Sequence, residues 1–275
     1  MTRRPSPLAR VLSSALAAGT LLATAACSDG GDDRDGSRAS GITATQVAGR
    51  QQTPSPTATL TEDGAQAALI TEADIEDDWT QVKDTEAENW NDSLVIGTVD
   101  VSDFLTAKTD AADCQRLMNS LFDDDLLGRP SGANALRGFQ QGDSRLLYQV
   151  ASYDRTDPQD SLSWMATLPE TCDQFTVTED GEQRTVQVIE TSLPKVGDAR
   201  QGLRVTVRGT TGGAEATLTL TVAAVRVGND AITVTTGGLD GDEQDSAEQA
   251  VRIGTQNLKD VLAGKTPSPD PSEVE

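Results

Sequence analysis

The sequence predicts an α+β domain: an antiparallel sheet, much of it a C-terminal meander, packed with about three helices and tied by one disulfide. Three observations predict it. The runs Leu203-Val205-Val207 and Leu218-Leu220-Val222 alternate with Arg204, Thr206 and Arg208, and with Thr217, Thr219 and Thr221. That is the period of strands with one buried and one wet face. Three other segments repeat apolar residues at three and four, the period of helices. Cysteine parity supplies the third observation, once the N-terminus is read.

Arg3, Arg4 and Arg10 precede an uncharged run from Val11 to Ala26. That run is shorter than the ~20 residues needed to span a bilayer as a helix. Residues 1–26 therefore read as a signal peptide. Thr24-Ala25-Ala26 leads into Cys27, an order similar to the lipobox of bacterial lipoproteins, with Thr24 where Leu is usual. Ordinary cleavage after the small residues would instead leave Cys27 incidental. Parity favours the lipid: with Cys27 acylated, Cys114 and Cys172 remain as one disulfide pair in an oxidising compartment.

Residues 27–65 follow as a tether. From Ser28 to Gly64 the only large aliphatics are Ile42, Val47 and Leu60, and no aromatic occurs. Such a stretch buries too little surface to offset its conformational entropy. The domain spans 66–264. Residues 265–275 (KTPSPDPSEVE) read as a disordered tail.

Within the domain, Cys114, Leu117, Met118 and Leu121 fall at helical spacing. Asp157-Pro158 opens a second helix, with Leu162, Met165, Ala166 and Leu168 as its apolar face. Pro169 is expected to interrupt that helix before Cys172. The third is capped by Asp245 or Ser246, carries Ala247, Ala250, Val251, Gly254, Leu258, Val261 and Leu262, and stops at Gly264. Strands are expected at 135–140, 145–153 and 186–191, besides the two alternating runs. The alternation slips at Ala223-Ala224, which predicts a bulge. Gly228-Asn229 predicts a two-residue hairpin into Ile232-Val234.

Composition excludes several functions. The chain has 275 residues, 44 Asp+Glu, 22 Lys+Arg and no histidine, a formal charge of −22. Removing residues 1–26, which hold three arginines and no acid, would make it −25. A nucleic-acid partner needs a basic field that is lacking. Ser-His-Asp catalysis, Cys-His catalysis and histidine-ligated metal sites are impossible. No motif points to a cofactor or a metal.

The order of several short motifs resembles the PknH-like extracellular sensor domain family of actinobacteria. Leu69-Ile70-Thr71-Glu72-Ala73-Asp74-Ile75 with Trp79 is similar to its opening motif. Cys114 and Cys172 match a cysteine pair on two helices. Leu193-Pro194-Lys195-Val196-Gly197-Asp198-Ala199 resembles the turn before the last meander, and Val225-Arg226-Val227-Gly228-Asn229 the strand and turn before the final helix. This chain departs from the family in offering one disulfide pair and in having Asp78 where Gly is usual before the Trp. The resemblance implies a sensor architecture with a ligand cleft between helices and sheet, and names no ligand.

Candidate sites each have a plainer reading. All nine aromatics lie between Trp79 and Phe175. They line a cleft or pack helices on the sheet, and Trp79 and Trp164 are the candidates for ligand contact. Asp123-Asp124-Asp125 follows a helix end, where acids are unfavourable. A Ca²⁺ ion, a basic partner or a solvated loop would each explain them. Asp240 to Asp245 lacks the spacing of a calcium loop. Carboxylate-only catalysis needs two acids in one cleft, and the sequence nominates no pair. Together these readings predict a lipoprotein held on the extracytoplasmic face of the cell membrane through Cys27. Its domain senses or binds a small-molecule, lipid or cell-wall ligand non-covalently and catalyses nothing. The alternatives are a scaffold docking on an envelope enzyme or transporter, and a lipid carrier.

Overall fold

The structure, a computed structural model, describes residues 59–267 apart from 76, 77, 97, 98, 155, 156, 180, 212, 240 and 242. The expected signal peptide, Cys27 and most of the tether and tail lie outside the described residues.

The chain opens with α1 (Glu62–Ala67), whose N-terminus is capped by Thr61 Oγ1 accepting from Gly64 N. The helix starts inside the stretch read as tether, because Leu60, Ala65 and Ala68 are buried against the domain. A 3-10 turn (Glu72–Asp74), β1 (Thr80–Gln81), α2 (Asp84–Ala87), α3 (Trp90–Ser93), β2 (Val95–Ile96), β3 (Val99–Asp100) and α4 (Ser102–Thr106) follow as short pieces. Then come α5 (Ala112–Asn119), β4 (Asn134–Gln141), β5 (Ser144–Ser152) and α6 (Asp157–Thr171). The last part is β6 (Gln174–Glu179), β7 (Glu182–Glu190), β8 (Ala199–Thr211), β9 (Ala214–Val227), β10 (Asp230–Gly238) and α7 (Gln244–Leu262). The fold is α+β. One eight-stranded antiparallel sheet has the order β1-β4-β5-β10-β9-β8-β7-β6, and β2 and β3 pair separately.

Side chains alternate across this sheet, so each strand feeds two cores. Leu147, Ala151, Val186, Val188, Leu203, Val205, Val207, Leu218, Leu220 and Val222 face one core, with α2 to α6 packed on it. Leu146, Tyr148, Val150, Ala223, Val225, Ile232 and Val234 face the other, covered by α1 and α7. This two-sidedness corrects the expected bulge. The β8–β9 and β9–β10 registers run unbroken through Ala223 and Ala224. The apolar phase slips there because α7 begins to cover the second face, so both parities become buried. Gly228, at φ 65°, opens the expected two-residue turn between β9 and β10.

Two helix details also differ from expectation. α6 continues through Pro169 to Thr171, and Cys172 N still bonds Leu168 O at 2.7 Å. A proline in the last turn removes one backbone donor without ending the helix. α7 begins at Gln244, ahead of Asp245 and Ser246, because the Gln244 side chain bonds Thr191, Ser192 O and Glu248. The expected disulfide is present: Cys114 on α5 joins Cys172, one residue beyond α6, with Cα atoms 5.6 Å apart. It closes a 58-residue separation, worth up to ~4 kcal/mol in the chain-entropy account. Among the described residues no helix is long and apolar enough to cross a membrane.

α7 lies on the sheet at close range where Gly254 meets Tyr148. A Cβ built on Gly254 would stand 2.1 Å from the Tyr148 hydroxyl oxygen, and that hydroxyl is buried with no hydrogen-bond partner. Gly254→Ala is therefore expected to destabilise the fold by about 1–3 kcal/mol through overpacking. Tyr148→Phe removes the clashing oxygen without breaking a bond. Urea unfolding of the double variant should recover part of the loss, and equal losses in G254A and G254A/Y148F would refute this packing account.

Candidate functional site

A cavity of about 270 Å³ opens where α1, α2 and the loop after α5 meet the outer strands of the sheet. Ala87, Phe122, Ala135, Leu136 and Leu147 give it apolar walls; Asp84, Glu88, Asp123, Asp124, Gln66 and Asn134 give it polar ones. Each element supplies its part for a local reason. α2 starts at Asp84, so its acids stabilise the helix N-terminus while one face turns to the cavity. Gly138 on β4 admits this layer: a Cβ there would come within 3 Å of Ala87, Trp90 and Val82. Phe122 takes φ 54°, a left-handed conformation costly for an aromatic residue. That turn sets the Phe122 ring edge-on to Trp90, centroids 5.8 Å apart, and projects Asp123 and Asp124 along the cavity wall.

The acid loop is pinned from below. Asn134 Nδ2 donates to Asp124 Oδ2 at 3.0 Å, and Gln149 Nε2 donates to the Asp124 carbonyl at 2.7 Å. Asp124 N donates to Asp123 Oδ1 at 2.6 Å. Burial pushes the Asp123 carboxyl up to about 6; the Asp124 N–H pulls the other way, and the charges of Asp125 and Asp124 add to the rise. Asp125 is raised by burial too, against the lowering effect of Arg116 and Arg129. Among the described residues no group of three or more Asp, Glu or Cys side chains is placed to hold a metal ion. Asp123 and Asp124 line the cavity, whereas Asp125 does not and feels Arg116 and Arg129.

The two tryptophans named from sequence are not brought together. Trp79 is buried in the α7-side core, its Nε1 donating to Ser246 Oγ at 3.3 Å. Trp164 sits on the opposite side of the sheet, under the Arg116 guanidinium at 3.8 Å, with Nε1 donating to Asp113 Oδ1 at 3.2 Å. Neither lines the cavity, and they cannot report on one common cleft. Both are held by packing and hydrogen bonds. The aromatic that does line the cavity is Phe122, which the sequence did not single out.

No protein-family model matches the sequence, and no curated protein matches it. Among solved structures the chain is similar to the extracellular domain of PknH from Mycobacterium tuberculosis, with a TM-score of 0.42 and 14% identity. That match covers 76% of this chain and 100% of the other. It is also similar to an uncharacterised Mycobacterium smegmatis protein, an Rv0999 ortholog, with a TM-score of 0.37 and 14% identity over 78% and 99% of the two chains. These scores are too low to carry the fold or role of either protein to this chain.

The raised Asp123 carboxyl has a sign that can be checked. The folded state holds its proton more tightly than the unfolded chain, whose carboxyl titrates near 3.8. Its contribution is therefore intact below pH 4 and is lost as pH rises through about 6. Asp123→Asn keeps an acceptor for Asp124 N and cannot ionise. It is expected to gain about 1 kcal/mol relative to the parent at pH 7.5, the partly exposed site being screened by solvent, and close to nothing at pH 4. Thermal unfolding at the two pH values tests this, and a gain that does not depend on pH refutes it.

Proposed function

We propose that this chain is a cell-envelope lipoprotein whose domain binds a small ligand with a cationic group, non-covalently, in the cavity beside Asp123. The observation that carries the reading is the convergence of Asp84, Glu88, Asp123 and Asp124 on one cavity that also has apolar walls. An amine is attracted by the carboxylates, and its carbon skeleton is sheltered by Phe122, Leu136 and Leu147. Binding rather than turnover is supported by composition. The chain has no histidine, and the two cysteines of the domain are joined to each other. The lipid anchor and the extracytoplasmic location rest on the order of residues before Cys27, and the sensing role on the family resemblance of the sequence.

Native mass spectrometry of protein extracted from its own cells is expected to show a retained mass. Calorimetric titration with spermidine should show binding that weakens at least tenfold in Asp84→Asn/Asp123→Asn, while glutarate should not bind. No retained mass together with no spermidine binding would overturn the ligand reading. Turnover of a glycan or ester substrate that one Asp or Glu substitution abolishes would overturn the non-enzymatic one. The anchor is tested separately: Cys27→Ala should leave the protein unacylated and free of the membrane, and a processed, membrane-bound variant refutes it.

A further inference from the structure

The centre of the sheet contains a polar chain that the core does not need. Thr233 on β10 and Gln149 on β5 are cross-strand partners on the face covered by α2 to α6, and both are almost fully buried, at 5% and 1% exposure. Thr233 Oγ1 donates to Gln149 Oε1 at 3.0 Å. The Gln149 amide uses both of its N–H groups: one reaches the Asp124 carbonyl at 2.7 Å and the other Asn134 Oδ1 at 2.9 Å. Asn134 in turn donates to the Asp124 carboxylate, and its own main-chain N–H donates to Glu62 Oε2 at 3.4 Å.

An apolar pair at these two positions would fill the space without risk, since each buried polar group left unpaired costs about 1–3 kcal/mol. A fully satisfied network instead fixes one geometry. Here its output is a single loop: the carbonyl and the carboxylate of Asp124 are both held, and Asp124 N holds Asp123. We propose that Gln149 is the positioning residue of the cavity, holding the Asp123–Asp124 segment against its wall from the centre of the sheet. The inference rests on the reading of the cavity as the binding site. Gln149 touches no ligand position itself; it acts through Asp124 and Asn134.

The readout is the titration of Asp123. The charged and titratable groups around it are Asp124 and Asp125 on its own loop, Asp84 and Glu88 at α2, Glu62 of α1 bonded to Asn134, Arg116 and Arg129 acting on Asp125, and Tyr153 of the strand end beside Asp124 and Asp125. If Gln149 is cut away, the loop is released to water and Asp123 loses the burial that raises it.

The carboxyl carbon of Asp123 is followed by NMR through pH 3 to 8 in the full chain without ligand. In Gln149→Leu the midpoint is expected to fall by about one pH unit or more, towards that of an exposed carboxyl near 3.9. Asn134→Ala, which cuts the same relay at its surface end, should shift it in the same direction. Thr233→Ser keeps the hydroxyl and should leave the midpoint in place, whereas Thr233→Val should lower it. A merely structural Gln149 would lower thermal stability and leave the midpoint unmoved; a folded Q149L or N134A with the parent midpoint overturns the proposal. If Q149L does not fold, N134A and T233V decide. No retained mass together with no spermidine binding in the parent would overturn the cavity reading instead, and the two failures are told apart because the titration needs no ligand.

Discussion

Strand β10 is buried along its whole length, from Asp230 to Gly238, between β5 and β9. A strand covered on both faces cannot rely on water for its polar groups, so each is either paired within the protein or left unpaired at a cost. That constraint explains the layering. One face of the sheet needs α7, which lies over β9 and β10, and the other needs the cluster from α2 to α6. It also explains which polar residues survive in the centre. Gln149 and Thr233 bond each other across the strands, whereas Tyr148 and Thr236 are left with unpartnered hydroxyls in the crowded ground under α7.

The edges of the same sheet are handled in two ways. β1 is only two residues long, which offers little template for pairing with another chain. At the other edge, Lys108 exchanges two main-chain bonds with Thr178 of β6, 2.9 and 2.8 Å long, and covers part of that strand. The segment carrying Lys108 leads directly into α5, and α5 is tied through Cys114 to Cys172, just before β6 begins. The disulfide and the edge bridge thus hold the same helical layer onto the same end of the sheet. The helical layer beside the cavity is tied at one side by the disulfide and at the other by the bonds of Asn134 and Gln149 to Asp124.

Long periodic elements were legible in the sequence because burial repeats along them. The alternation of β8 and the three-four spacing of α7 are read directly from Leu203-Val205-Val207 and Ala247-Ala250-Val251. The slip at Ala223 was visible too, but one sequence cannot say whether a phase change is a bulge or a second covering layer. The short helices α1 to α4 were not legible, since four to six residues carry no period, and their burial depends on what they meet. The site shared that difficulty. Asp123 to Asp125 stood out as acids at a helix end, yet Asp84 and Glu88, forty residues earlier, join them only through the packing of α2 on β4. Phe122 gave no signal at all: its positive φ is imposed by the loop, and an aromatic residue there looks like any helix-end hydrophobe. Trp79 and Trp164 drew attention as large residues in polar company, and that company proved to be Ser246 on one side and Asp113 with Arg116 on the other.

The placement of the acids runs against stability twice over. A chain with formal charge −22 already repels itself, so four carboxyl groups on one cavity add local repulsion to a global one. Burial raises the Asp123 carboxyl to about 6, which means that near neutral pH its ionised form is held in an unfavourable place. Phe122 adds backbone strain at the same point. A solvated loop would relax all three by swinging outward, but Phe122, Leu126 and Leu127 on either side of the acids are buried in the core. Between these anchors Asp124 is held by one bond from Gln149 and one from Asn134, and Gln149 in turn holds Asn134, so the polar restraint comes from the sheet. On the proposed reading, this local conflict is what a bound ligand would offset. The complementary charge that would relieve the conflict is a cation seated among Asp84, Glu88, Asp123 and Asp124.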